Sequence, residues 1–358
     1  MASLTPRNLT SSQSALGWFK ATTGSLRDVT QYKNPSGSAS LEDAAMRCIL
    51  QNLDALDYNH LTCLPWTIRR KLWAEVKRLR LNSVRTWQMF VRACSHEQEG
   101  FQDHKTICIG TLVLPSTLKY ILKQSNAPRF EWLAHVALQD SRLPRGYWCT
   151  IKELSNLASL LIYNAARSEP ADTTEVDDRV IKAWSIAARE EGAFSRLRVL
   201  HIHDNRLVTK DSLLFLACLP CLKICHFMDY NESLEEVSSF GDDWWDRFPV
   251  DKARAVDQEW NSVSMASRLG LQYEKWFSSK LLADSSNSDT DALPRMFLYD
   301  RGTVALKARK HLWLLRNAKQ QDHKEADIAS AGQPERKKRK LRVTKEKDIG
   351  DLLGQMGG

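Results

Sequence analysis

No apolar run in this chain approaches the roughly 20 residues that a helix needs to cross a bilayer, so no membrane span is expected. The outward strand columns aligned below hold no paired carboxylates, no Ser/His/Asp geometry and no glycine-rich phosphate loop. Those are the parts an active site requires, so no catalytic residue and no cofactor is expected, and the chain reads as non-enzymatic. Secretory leader character is lacking as well. The 8 cysteines are therefore expected to be reduced thiols of a cytosolic or nuclear protein rather than a disulfide framework.

One cysteine cluster stands out: Cys218, Cys221, Cys225 and His226. A C-x-x-C spacing can hold zinc, but a second ligand pair is missing unless Cys225 and His226 both serve. The competing reading places Cys225 and Cys218 in a core as small hydrophobes. That second reading is the one adopted, with no metal expected.

What the chain does contain is a recurring apolar-x-x-apolar-x-apolar pattern. It reads IGTLVL over 109–114, LAHVAL over 133–138, LASLLI over 157–162, LRVLHI over 197–202 and LKICHF over 222–227, with starts 24, 24, 40 and 25 residues apart. Asn164 and Asn205 follow two of the copies. After LRVLHI come a turn at Asp204 and Asn205 and a helical run opening at Asp211, a candidate cap; Pro220 then closes the run before the next copy. Strand, turn and helix inside 25 residues resembles the leucine-rich repeat, whose unit is about 20–29 residues long. The resemblance implies a short, irregular α/β solenoid with parallel strands on the concave face, helices outside and a partner-binding role. The 40-residue step is expected to be a polar loop inserted at about 165–179, followed by a helix over 180–188. LPRMFL over 293–298 fits a sixth strand.

Alternate strand residues face opposite sides, so aligning the copies assigns columns. Leu114, Leu138, Ile162, Ile202 and Phe227 are expected inward, as are Leu112, Val136, Leu160, Leu200 and Cys225. One outward column is then Val113, Ala137, Leu161, His201 and His226; the next is Pro115, Gln139, Tyr163, His203 and Met228. Leu161, Tyr163, His201, His203, His226 and Met228 form the candidate concave-face contact for a protein partner, a histidine-bearing patch suited to a hot spot or a pH-sensitive contact.

Ahead of the repeats, residues 41–98 read as helical. Ala45, Cys48, Ile49, Leu53 and Leu56 fall near helical spacing over 41–56. Leu64, Pro65, Ile68, Leu72 and Trp87 then match the pattern of an F-box, and this segment resembles that family. The resemblance implies adaptor contact by these five residues in a cullin–RING ubiquitin ligase, making the chain a substrate receptor. The basic Arg69, Arg70, Lys71, Lys77, Arg78 and Arg80 depart from that family. The reading adopted ahead of adaptor docking is a helical cap over the first open edge of the solenoid.

Residues 1–40 read as a disordered Ser/Thr-rich arm whose early cations also have transit-peptide character. Residues 229–292 form a second insertion in the 99–316 repeat domain, acidic at first and then aromatic, with Trp244, Trp245 and Trp260 and a helix over 262–282 that places Leu269, Tyr273, Trp276 and Phe277 on one side. Residues 304–315 read as a closing basic helix. The tail over 317–358 is expected to be disordered.

The net charge of +8 is concentrated there: residues 302–358 carry 14 Lys+Arg against 7 Asp+Glu, which is +7 and leaves +1 for everything before. The body is thus not expected to grip nucleic acid, and the tail only weakly, through salt-sensitive phosphate contacts. Arg336, Lys337, Lys338, Arg339 and Lys340 form a dense cationic run of the kind an import receptor reads. A nuclear scaffold is the resulting expectation, with the cytoplasm as alternative. Residues 348–356 carry Ile349, Leu352, Leu353 and Met356 at the spacing of a short partner motif.

Overall fold

The computed structural model describes residues 40–94, 103–108, 115–139, 143, 145–163, 176–203, 207–228, 230–234, 244–247, 293–299 and 311–316. The chain divides into two compact units, residues 1–316 and 317–358; all described residues belong to the first. The arm over 1–39, Asn164 and Asn205, the helix over 262–282, the run Arg336–Lys340 and the motif over 348–356 lie outside the described residues.

Four helices come first. α1 (Leu41–Gln51) begins at Ser40, whose hydroxyl oxygen accepts the Asp43 amide, with Glu42 and Asp43 in the first turn where carboxylates suit the helix dipole. The helix stops at Asn52, which ties its side-chain amide to the Cys48 carbonyl, and a single 3-10 turn (Leu53–Ala55) follows. The helix expected over 41–56 is therefore shorter. Its buried stripe also differs: Leu50 and Leu53 are buried, Met46, Ile49 and Leu56 pack half-buried against them, and Ala45 and Cys48 are exposed.

α2 (Tyr58–Thr62) opens on a reciprocal cap between Asp57 and His60. The His60 amide bonded to Asp57 holds that carboxyl below its ordinary pKa. α3 (Trp66–Arg78) buries Arg69, Leu72, Trp73 and Val76, and α4 (Val84–Cys94) buries most of its length. The two run back against each other: Arg69 donates to the Ala93 carbonyl, and Trp73 lies 4.9 Å from Phe90 between ring centroids.

The rest of the described residues build a sheet and its covering helices. In chain order these are β1 (His104–Cys108), α5 (Pro115–Ser125), β2 (Leu133–Gln139), α6 (Arg145–Trp148) with a 3-10 turn (Cys149–Glu153), β3 (Leu157–Tyr163) and α7 (Asp178–Glu191). Then come β4 (Val199–His203), α8 (Asp211–Leu216), β5 (Ile224–Met228), β6 (Trp245–Arg247), β7 (Arg295–Tyr299) and β8 (His311–Arg316). The eight strands stand in the order β1-β7-β2-β3-β4-β5-β8-β6 in an open sheet. All neighbours are parallel except β8, which runs antiparallel to both β5 and β6.

From β2 to β5 the expected columns are met residue for residue. Leu138, Ile162, Ile202 and Phe227 pair in sequence, as do Val136, Leu160, Leu200 and Cys225. Both columns enter one hydrophobic core together with Ile121 of α5, Trp148, Trp184 of α7, Leu213 of α8, and Trp87 of α4. The helices thus cover this face of the sheet, and the N-terminal helices share its core. α7 starts on Asp177, whose carboxylate accepts the Val180 amide, and ends on Gly192 at φ +67, a left-handed cap that favours glycine. Asn156 joins the α5–β2 corner to β3 by donating to the Ser125 and Trp132 carbonyls.

Four expectations are corrected. The first described strand is HKTIC over 104–108; IGTLVL over 109–114, with Leu112, Val113 and Leu114, lies outside the described residues, and Pro115, expected in an outward strand column, instead opens α5. β7, the expected sixth strand, does not extend the row beyond β5 but inserts between β1 and β2. Within the closing helix expected over 304–315, residues 311–315 are strand, part of β8. Asp211 is the first residue of α8 rather than its cap; Asp178 of α7 instead accepts from the Thr209 amide and from the Thr209 and Ser212 hydroxyls, fastening α8 to α7.

Candidate functional site

The opposite face of the sheet carries the histidines. One row across it pairs Ala137 of β2, Leu161 of β3, His201 of β4, His226 of β5 and Trp313 of β8. Two residues earlier along the strands runs a second row: Phe297 of β7, His135, Ser159, Val199 and Ile224. His201 and His226 are joined by a 2.8 Å hydrogen bond between their Nδ1 atoms, with rings edge to face at 4.6 Å. His226 stacks flat on Trp313, 3.5 Å between centroids and 11° from parallel. In the second row His135 Nδ1 bonds the Ser159 hydroxyl at 2.8 Å, and its ring stacks on Phe297 at 4.9 Å.

Chemically this arrangement is a packed polar seam. An Nδ1–Nδ1 hydrogen bond needs one donor and one acceptor, so the His201–His226 contact holds a single proton. Among the described residues no three His, Cys, Asp or Glu side chains are grouped to hold a metal ion. Cys225 and His226, being consecutive in a strand, project to opposite faces of the sheet, so they cannot complete one zinc site. Cys225 sits wholly inside the helix-covered core, where burial pushes its thiol well above its ordinary pKa and the nearby Arg316 charge offsets this only in part.

The expected partner contact is corrected in its accessibility. Leu161, His201, His226 and Met228 have essentially no exposed surface and His203 retains 6%. Tyr163 is placed beside His203 by the strand register alone. The columns point where the alignment put them, but that side of the sheet is buried too. Strands hidden on both faces read as nearly continuous apolar runs, which is what LAHVAL and LASLLI are. The His135–Ser159 pair and the Phe297 stack were missed; extending the alignment two residues toward the strand starts brings His135, Ser159, Val199 and Ile224 into line.

The F-box-like residues divide. Leu72 and Trp87 are closed inside the chain's own core, Trp87 against Trp132 at 5.6 Å, so they are not free to meet an adaptor. Leu64 and Ile68 are half-buried and Pro65 is exposed at the start of α3. A further missed residue is Arg316, at the end of β8. Its guanidinium donates to the carbonyls of Ala217, Leu219, Pro220 and Leu222, tying the last described strand to the α8–β5 turn.

The fold and this seam define a mixed α/β protein on an eight-strand, mostly parallel open sheet. No family model, no curated protein and no solved structure matches the chain.

Proposed function

We propose that this chain is a non-enzymatic interaction scaffold of leucine-rich-repeat type that works in the nucleus. The observation that carries the reading is the ladder β2 to β5, in which strands 24, 40 and 25 residues apart pair in parallel with their columns in register. Repeating strand–helix units of this kind build broad surfaces for partners rather than clefts for chemistry. Because the histidine column is buried, partner contact falls to the helical module and to the exposed sides of the helices. The cationic run Arg336–Lys340 supports nuclear import.

A second reading, substrate receptor of a cullin–RING ligase, is favoured by one observation: Leu64, Pro65 and Ile68 keep accessible surface at the head of α3. Affinity purification with mass spectrometry separates the two. Recovery of a ligase adaptor that disappears in the Leu64→Ala plus Ile68→Ala variant, with its melting temperature retained, establishes the receptor role. Recovery of other proteins at near-equal amounts, undisturbed by that variant, supports the scaffold. If no protein is enriched from nuclear extract, the scaffold reading fails.

Localisation is tested independently. Replacing Lys337, Lys338, Arg339 and Lys340 by alanine is expected to spread a fluorescent fusion through the cytoplasm. Undiminished nuclear enrichment would overturn the import role.

A further inference from the structure

Cys218 and Cys221 are both half-buried in the turn from α8 to β5. Their surroundings set them apart from the other described cysteines. Cys94 and Cys225 are closed inside the core, and burial pushes the thiol of Cys149 up. Cys48 and Cys63 are exposed, on α1 and at the end of α2.

The turn arranges its residues with a period of three. The amides of Cys218, Leu219 and Leu222 donate to the carbonyls of Phe215, Leu216 and Leu219, each three residues back. That is 3-10 geometry, in which side chains three apart eclipse one another. Leu216, Leu219 and Leu222 accordingly share one side and have no exposed surface. Phe215, Cys218 and Cys221 share another, each half-buried. With a rise of about 2 Å per residue, eclipsed positions three apart stand about 6 Å between Cα atoms, inside the span a disulfide bridges. Two restraints hold the turn in this shape. Pro220, between the cysteines, has its φ fixed by its ring. The Arg316 guanidinium donates to the carbonyls of Ala217, Leu219, Pro220 and Leu222, before, between and after the pair. Cys218 Sγ donates to the Leu214 carbonyl at 3.6 Å, a weak thiol contact that rotation about χ1 releases.

We propose that Cys218 and Cys221 form a redox-sensitive dithiol that closes to a disulfide within the turn. The oxidant is a low-molecular-weight disulfide of the glutathione type. One cysteine thiolate attacks it, forming a mixed disulfide and releasing one small thiol. The second cysteine thiolate attacks the cysteine sulfur of that mixed disulfide and releases the other small thiol. The pair is oxidised by two electrons, the small disulfide is reduced to two thiols, and the two cysteine protons pass to them through solvent. Cys225 does not compete, because it lies in the core. Since Arg316 ends β8, the redox state of the pair bears on how that strand is held to the turn.

The test uses the full chain equilibrated with glutathione at a series of oxidised-to-reduced ratios, quenched in acid and capped with N-ethylmaleimide. Trypsin, cutting after Lys210 and Lys223, releases residues 211–223, which carry these two cysteines and no other. Mass spectrometry is expected to find this peptide uncapped and two hydrogens light, outnumbering its glutathione-bearing form at least about 10-fold. In urea, which removes the turn, that ratio is expected to fall about 10-fold, because positioning raises the effective concentration of the second thiol. A peptide that stays a dithiol at ratios where Cys48 and Cys63 carry glutathione overturns the proposal, as does one that carries glutathione on both cysteines. So does an equal ratio with and without urea, since closure would then reflect nearness in sequence alone.

Discussion

Trp87→Ala is expected to cost about 3–5 kcal/mol of stability, the range for removing a fully buried tryptophan. Trp87 is 1% exposed, and its ring meets Trp132 edge to face at the junction between α4 and the segment entering β2. The cavity would open where the helical module and the sheet share their core, so both should feel it. For a unit of this size the loss corresponds to a fall on the order of 10 °C in melting temperature, read by thermal unfolding. The outcome also decides the role of this residue. If Trp87 were an adaptor contact, alanine would abolish adaptor recovery and leave the melting temperature where it was. A change below about 1 kcal/mol, typical of a surface position, would show that the module is not built around it.

The strand columns of β2 to β5 were legible because two periodicities agree there: alternation within each copy and near-constant spacing between copies. Each predicts the same in-or-out assignment, and the pairing follows it. β1 was not legible for the opposite reason. As an edge strand it exposes His104 and Thr106, so HKTIC shows less apolar pattern than the neighbouring IGTLVL, on which the repeat pattern falls. The position of β7 between β1 and β2 could not be read at all, since Arg295 pairs with both His104 and Leu133 and no local signal reports a contact across more than 150 residues of chain. β8 fell to a known ambiguity: a short apolar run such as HLWLL fits helix and strand alike. What settles it is tertiary, the ladder with β5 and the stack of Trp313 on His226. The candidate site shows the same boundary. Alternation says which way His201 and His226 point, but it cannot say whether that side meets solvent.

His226 is where that distinction can be measured. A histidine on an open concave face would tolerate truncation, as surface positions do, within about 0.5 kcal/mol. In the seam, His226→Ala removes a ring stacked on Trp313 and the Nδ1 partner of His201 together. A loss of about 2–4 kcal/mol is expected, from the cavity and from a buried polar contact left unmade. His226→Phe separates the two contributions. It keeps a flat ring against Trp313 and most of the volume but offers His201 no hydrogen bond, so a loss of about 1–2 kcal/mol is expected. Urea unfolding of the three proteins gives both differences from their midpoints and slopes. If alanine and phenylalanine cost the same, the stack contributes nothing and the hydrogen bond is the whole effect; if both stay within 0.5 kcal/mol of the unaltered chain, the seam is no part of the core. The expected ordering instead makes β8 a stacked and hydrogen-bonded flank of β5. Loss of the ring should then loosen Arg316, whose guanidinium ties β8 to the α8–β5 turn. Amide exchange at Leu312 and Leu314 should accelerate in His226→Ala and remain near the unaltered rate in His226→Phe.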